Sequence, residues 1–140
     1  MLQCLMDLEG KIWEIKSVLS TRSDVLLAFV FGSFTEGRLT KESDVDVAIL
    51  FDNIPDFSTI TDIGDEISSI TGLKTDIVVL NGASPIIKMQ VLKKGQLLKK
   101  ANDSIYNDFF VQTVKQYDDI KRVRRSQEAN ILRGRLYVRT

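Results

Sequence analysis

The stretch FVFGSFTEGRLTKESDVDVAIL, residues 29–50, places polar side chains where two apolar segments would otherwise run through a core. The apolar run before Gly32 has the length and the branched and aromatic content of a buried strand. Beyond a polar loop, residues 44–51 alternate between two faces, as a strand requires. The stretch therefore predicts two strands, with a glycine–serine pair ending the first and two carboxylates beginning the second.

The two carboxylates are spaced for metal binding. Asp44 and Asp46 are two residues apart on a strand, so their side chains point the same way from Cα atoms about 6.6 Å apart. Oxygen ligands of this kind suit magnesium, which binds few protein carboxylates together with water and substrate phosphates. The sequence has no histidine, in agreement with an oxygen-only site. We expect a third carboxylate from a neighbouring strand, and Asp76 opens one in the segment KTDIVVL.

The glycine–serine pair suits a phosphate. Gly32 lets the backbone turn sharply and approach a ligand closely, and Ser33 offers an amide and a hydroxyl as donors. In the following loop, Arg38 and Lys41 are cations that can reach a phosphate or lie on the surface. Each half of the pattern is weak alone, because Gly-Ser and Asp-X-Asp are common in turns and solvated loops. Together they indicate a site for a nucleoside triphosphate with its metal ions.

The composition limits the class of protein. A length of 140 residues fits one domain, with a core in about residues 1–100 and a C-terminal helix and basic tail in about residues 103–140. A single cysteine excludes an internal disulfide, and the lack of histidine excludes Cys/His zinc sites. The N-terminus is not a signal peptide, and no segment approaches the ~20 apolar residues of a membrane span. We therefore expect a cytoplasmic protein with no membrane contact.

Helical periodicity and turn residues predict the remaining elements. Four strands are expected, at residues 25–31, 44–51, 75–80 and 96–98. A helix precedes the first strand, and three further helices are expected to begin at the caps Ser58 or Thr59, Ser84, and Asn102 or Asp103. The last helix is expected to bury the stripe Tyr106, Phe110, Val114, Tyr117 and Ile120. The predicted class is α/β (α+β): a small mixed β-sheet flanked by helices, with a long C-terminal helix.

Charge is uneven along the chain, although the net charge is zero. From Lys121 onward there are seven basic residues and one acidic residue, a local balance of +6, so the first 120 residues carry −6. Such a tail permits contact with nucleic acid or with an acidic protein. A solvated helix end is the simpler interpretation, and direct nucleic-acid binding is not expected.

The pattern resembles the DNA polymerase beta-like nucleotidyltransferase superfamily through five residues, Gly32, Ser33, Asp44, Asp46 and Asp76. Length and flanking helices are similar to its minimal members, the MNT-domain antitoxins that act beside HEPN-domain toxins. The resemblance implies a polymerase beta-like fold and transfer of AMP from ATP to a hydroxyl. By this likeness Gly32 and Ser33 would hold the terminal phosphates. Asp44 and Asp46 would bind two Mg²⁺ ions, and Asp76 would complete the metal site and help remove the proton of the attacking hydroxyl.

The resemblance also implies a partner. In the antitoxin subgroup the acceptor is a tyrosine hydroxyl of an RNase toxin, which AMP attachment silences. This chain lacks the histidine of a HEPN ribonuclease motif, so it would be the antitoxin and a HEPN-domain toxin its partner. Two alternatives stay open: a non-catalytic subunit that neutralises its partner by binding, and a small-molecule adenylyltransferase acting on an aminoglycoside or similar compound. A calcium loop is disfavoured, because Asp44-Val45-Asp46 lacks the ligand ladder of an EF-hand.

Overall fold

Within the part of the chain that the structure describes, four helices and four strands follow one another in the order that the sequence predicts. The computed structural model describes residues 2–31 and 44–138. Its elements are α1 (Leu2–Ser20), β1 (Val25–Phe31), β2 (Val45–Phe51), α2 (Phe57–Thr71), β3 (Thr75–Val79), α3 (Pro85–Lys94), β4 (Gln96–Lys100) and α4 (Asp103–Val138). A 3-10 turn, Leu80–Gly82, joins β3 to α3, so the third strand ends one residue earlier than predicted.

The strands form one mixed sheet in the order β3-β2-β1-β4. β1 is antiparallel to β2 and to β4, whereas β2 and β3 are parallel. A parallel pair needs a crossover connection, and α2 supplies it. The starts of β2 and β3 therefore lie at the same edge of the sheet as the end of β1. We call this edge the carboxylate end.

Helices cover both faces of the sheet, as predicted. On one face, α1 and α2 form a buried cluster with the strands that includes Ile15, Leu19, Val47, Ile49, Ile63 and Ile67. On the other face, α3 and α4 contribute to a second cluster that includes Leu27, Phe29, Ala48, Val91 and Phe109. The mixed sheet with helices on both sides and a long last helix confirms the predicted fold class.

α2 begins at a different cap from the predicted one. The Asp56 carboxylate accepts hydrogen bonds from the Thr59 backbone N–H at 2.9 Å and from the Thr59 hydroxyl at 2.6 Å. The prediction of Ser58 or Thr59 as the cap is wrong. Asp56 has the extended backbone of a cap residue, and its side chain accepts the hydrogen bond from the Thr59 N–H, which has no partner within the helix. These hydrogen bonds, the Thr59 hydroxyl first, lower the pKa of Asp56. The helix ends as predicted at Gly72, whose φ of 71° is left-handed.

The edge strand β4 is tied to the end of α1. The Lys99 ammonium donates to the carbonyl oxygen of Leu19 at 3.2 Å and to that of Arg22. Leu19 is in the last turn of α1 and Arg22 follows the helix, so Lys99 holds the end of α1 against β4. Burial lowers the pKa of Lys99. The strand extends to Lys100, two residues beyond its predicted end.

α4 is 36 residues long, and the residues that it is described to bury lie in its first half. Phe109 lies in the core, with its ring centroid 6.3 Å from that of Phe29 on β1, whereas Phe110 is 45% exposed. The prediction that Phe110 is buried was wrong. Phe109 and Phe110 are adjacent, and the helix directs Phe109, not Phe110, toward the sheet. From residue 121 to residue 131 every side chain is exposed. Residues 121–131 therefore lack the packing that holds the first half of α4.

Across residues 2–31 and 44–138, none of the helices has both the length and the apolar character needed to cross a membrane.

Candidate active site

Three carboxylates meet at the carboxylate end of the sheet. Asp46 on β2 is the register partner of Asp76 on β3. Asp44 immediately precedes β2. The backbone N–H of Val45 donates to the carbonyl of Lys74 at 2.8 Å, which fixes the start of β2 against the start of β3. The structure thus brings Asp44, Asp46 and Asp76 to one edge of two adjacent strands.

Asp46 and Asp76 belong to the face of the sheet that α3 and α4 cover. Side chains alternate along a strand, so residues two apart share a face. Ala48, two residues after Asp46, lies in the buried cluster of that face, and Val78, two residues after Asp76, packs against it. Asp46 is half-buried and Asp76 is exposed. The pair therefore stands where the apolar face meets solvent.

The pKa of the Asp46 carboxyl is raised above its ordinary value. Burial is the largest cause, and the negative charges of Asp76 and Asp44 add to it. The ionised form is therefore less stable here than in water, since desolvation and like charges both oppose it. A cation bound at this end of the sheet would offset the repulsion of Asp46 by Asp76 and Asp44. Among the described residues, this end of the sheet therefore presents a concentration of negative charge to a ligand.

The donor set fits magnesium in its chemistry. Carboxylate oxygens are the ligands that Mg²⁺ takes from proteins, and it keeps other positions for water and phosphate oxygens. Within the described ranges, no three His, Cys, Asp or Glu side chains are drawn together closely enough to form a finished metal site. Mutual repulsion of like charges is a sufficient reason for the carboxylates to stay apart. The edge is thus an open acidic site that a metal and its substrate would complete.

The predicted phosphate-binding residues lie outside the described residues. These are Gly32 and Ser33, together with the loop cations Arg38 and Lys41. Their roles stay predictions. The last described residue before them, Phe31, is the register partner of Asp46, so β1 ends beside the carboxylates.

Two lysines and a tyrosine form a cationic cluster at the same end of the sheet, and the sequence did not predict it. The Lys93 and Lys121 ammonium nitrogens lie 5.6 Å and 4.6 Å from the centre of the Tyr117 ring. Lys93 is in the last turn of α3, just before Gln96, and Gln96 is the register partner of Val30 near the end of β1. The one-turn spacing of Tyr117 and Lys121 is visible in the sequence, but nothing there brings Lys93 to them.

Two open grooves lie away from the carboxylates, between α1 and β4. Their volumes are about 350 and 450 Å³, and Lys16, Leu97 and Leu98 line both. Leu98 belongs to the buried cluster on the α1–α2 face, opposite the face of Asp46. The grooves therefore form no part of the candidate site.

The chain is similar to known proteins over most of its length. The family model described as polymerase beta, nucleotidyltransferase matches residues 13–104 of the chain. That span contains all four strands of the sheet and the three carboxylates.

Individual relatives cover most of the chain. The protein adenylyltransferase MntA of Shewanella oneidensis is 27% identical over 120 residues, which are 84% of this chain and 83% of the relative. In a solved toxin–antitoxin structure with AMP-PNP, one chain has a TM-score of 0.70 at 23% identity and covers 89% of this chain and 98% of its own length. A chain in the complex of tri-AMPylated Shewanella oneidensis HEPN toxin with MNT antitoxin has a TM-score of 0.70 at 21% identity, with the same coverage. At these identities the solved structures establish the shared fold.

Proposed function

Because the chain belongs to the polymerase beta nucleotidyltransferase family, we propose that it transfers AMP from ATP to a hydroxyl of a HEPN-domain RNase toxin and acts as that toxin's antitoxin. The proposed acceptor is a tyrosine, and residues 1–140 are proposed to act as one domain. Support comes from the Shewanella relative, whose name is protein adenylyltransferase. Further support comes from the solved complexes of the same fold, one with AMP-PNP and one with an AMPylated HEPN toxin.

The pairing of Asp46 with Asp76 across the β2–β3 ladder carries the proposal. Two acids side by side at the start of apolar strands oppose folding, as the raised pKa of Asp46 records. Groups held in such unfavourable environments cluster at functional sites. Asp76 is exposed, so a ligand in solvent can reach its carboxylate.

The proposed reaction is an in-line displacement at the α-phosphorus of ATP. The acceptor oxygen forms a bond to the α-phosphorus, the bond to the oxygen that bridges to the β-phosphate breaks, and pyrophosphate leaves with that electron pair. Asp44 and Asp46 would hold two Mg²⁺ ions, which stabilise the attacking and leaving oxygens in reactions of this type. Asp76 would complete the metal site and accept the proton of the acceptor hydroxyl.

Gly32 and Ser33 are proposed to hold the terminal phosphates. Two observations support this placement. Phe31, directly before Gly32, is the register partner of Asp46, and glycine with serine after a strand is suited to phosphate binding through backbone and hydroxyl donors. Phosphates bound there would lie next to the metal-binding carboxylates.

Neutralisation of the toxin tests the proposal. With ATP and Mg²⁺, the wild-type chain is expected to abolish the RNase activity of its partner and to leave AMP on a tyrosine, as read by mass spectrometry. A double variant, Asp44→Asn with Asp46→Asn, is expected to leave the toxin active and unmodified. Asp52→Asn is the matched control, because Asp52 is exposed and lies beyond the opposite end of β2.

Two results would contradict the proposal. If the double variant neutralised the unmodified toxin as well as wild type does, the chain would act by binding alone. If AMP were transferred to an aminoglycoside and to no protein, the chain would be a small-molecule enzyme.

A further inference from the structure

The second half of α4 is a basic arm, defined here as residues 121–138. α4 starts at the far end of the sheet, where Asp103 pairs with Lys100 at 2.6 Å. It reaches the carboxylate end at Tyr117, beside the last turn of α3. Every side chain of residues 121–131 is exposed, so the arm projects past the sheet.

The arm has the character of a surface that packs against another molecule. Val123 and Ile131 are 54% and 57% exposed. Its first five positions contain four basic residues: Lys121, Arg122, Arg124 and Arg125. Helices in proteins owe most of their stability to packing of one face, and the described side chains of the arm, residues 121–131, are all exposed. Its concentration of positive charge therefore favours an acidic partner.

α2 of the same chain presents a surface of that kind. It contains three acids, Asp62, Asp65 and Glu66, and no lysine or arginine. All three acids are exposed. At the start of the helix, Ile54 and Phe57 are 84% and 83% exposed. The charge of α2 is thus opposite in sign to that of the arm.

The acids of α2 have no basic partner among the residues that the structure describes. The ion pairs found there join Arg22 to Asp24 and Lys100 to Asp103. The acidic surface is therefore not neutralised by the described part of its own chain.

The arm and α2 lie on opposite sides of the sheet. α2 buries Ile63 and Ile67 in the cluster that it shares with α1. α4 buries Phe109 in the cluster on the other face. The sheet separates the two surfaces, so an arm can meet α2 only on a second molecule.

We propose that the basic arm of one copy docks along α2 of a second copy and that two such contacts form a twofold dimer. At 1.5 Å per residue the arm is about 27 Å long and α2 about 22 Å, so the surfaces match in length. Twofold symmetry makes the contact twice, which doubles the buried area. Residues 121–140 carry +6 and the rest of the chain −6, so a second copy is itself the complementary partner.

Matching spacings identify the charges that meet. Arg122 and Arg125 are three residues apart on the arm, and residues at this spacing are neighbours on a helix surface. Asp62 and Asp65 have the same spacing on α2. Each helix therefore offers two like charges one turn apart to the other. This interface does not depend on the proposed AMP transfer.

Sedimentation equilibrium of the full chain, with a charge-swap series, tests the proposal. The wild-type chain is expected to dimerise, and more weakly as salt rises, because salt screens exposed charges. Arg122→Glu with Arg125→Glu, or Asp62→Arg with Asp65→Arg, is expected to raise the dimer Kd by about tenfold or more, since like charges then face each other. A mixture of the two double variants is expected to regain most of the lost affinity as a heterodimer.

Lys16→Glu with Lys115→Glu is the matched control. Both lysines are exposed and lie outside the two surfaces, and the change in net charge equals that of the arm variant. The control is expected to dimerise like wild type, and circular dichroism is expected to show all variants folded. A monomeric wild-type chain, a control that dissociates as much as the arm variant, or a mixture that stays monomeric would each overturn the proposal. It would also be overturned if the arm variant kept full self-association and instead lost binding to the toxin or to RNA.

Discussion

Asp46 on β2 and Asp76 on β3 are register partners in a parallel ladder, so two acids stand on adjacent strands about 4.8 Å apart. The pairing follows from the strand order, because the α2 crossover makes β3 run in the direction of β2 and brings both strand starts to one edge. Asp44 adds a third acid just before β2. The proposed AMP transfer depends on this end of the sheet.

Asp76→Asn is expected to lower kcat for AMP transfer by about 10²- to 10⁴-fold, the usual contribution of a general base. Asp76 is exposed, so the amide can replace the carboxylate without a packing defect. The KM for ATP is expected to change less than kcat, because Asp44 and Asp46 remain to hold the metal and the nucleotide. Steady-state kinetics of the variant measures both values. An unchanged kcat would remove Asp76 from the site.

Asp46→Asn is expected to raise the Tm of the chain at neutral pH in the presence of a chelator. Burial and the charges of Asp76 and Asp44 raise the pKa of Asp46 in the folded state. Between the unfolded pKa and this raised value the folded state binds more protons, so the stability of the wild-type chain falls as pH rises through that range. Asparagine has nearly the same shape and does not titrate. The Tm difference between variant and wild type should therefore grow from acid to neutral pH.

Thermal unfolding against pH measures this difference. Asp119→Asn, a change at an exposed acid on α4, is the control and is expected to show no such growth. Mg²⁺ is expected to raise the Tm of the wild-type chain more than that of Asp46→Asn, because binding to the folded state stabilises it. A Tm of Asp46→Asn below that of wild type at neutral pH would contradict the account of the site.

Two glycines of the α2 region are expected to respond in opposite directions to alanine. Gly64→Ala should raise the free energy of unfolding by about 0.5–1 kcal/mol, because alanine is the better helix former. The new Cβ would meet only Ile77 Cγ1, at an ordinary 3.7 Å. Gly72→Ala should lower the free energy of unfolding by about 1–2 kcal/mol, since the left-handed φ of 71° at this position is strained for any residue with a Cβ. Chemical denaturation of both variants measures the two values, and changes of the same sign would contradict the helix-end assignment.

The strands and the acidic edge could be predicted from the sequence because their signals are local. Residues 45–51 are apolar except for Asp46, and an acid at the start of an apolar strand is conspicuous wherever the strand lies in the sheet. Which of two nearby residues caps a helix or enters the core could not be predicted. Asp56 and Ser58 can both cap a helix, and Phe109 and Phe110 can both enter a core, so packing decides between them.

Contacts between segments that are distant in the sequence could not be predicted either. Lys93 reaches the Tyr117 ring only because α4 runs back along α3 to the carboxylate end. The exposed length of the basic arm likewise depends on where the sheet ends, and charge counting alone does not supply that.

Transfer of label from ATP to the partner toxin tests the central claim most directly. The full chain is incubated with the toxin, Mg²⁺ and ATP that carries the label either in the α-phosphate or in the γ-phosphate. Labelled toxin is expected from α-labelled ATP only, and no labelled toxin is expected with the Asp44→Asn or the Asp46→Asn variant. Label arriving from the γ-phosphate, or undiminished transfer by either variant, would contradict it.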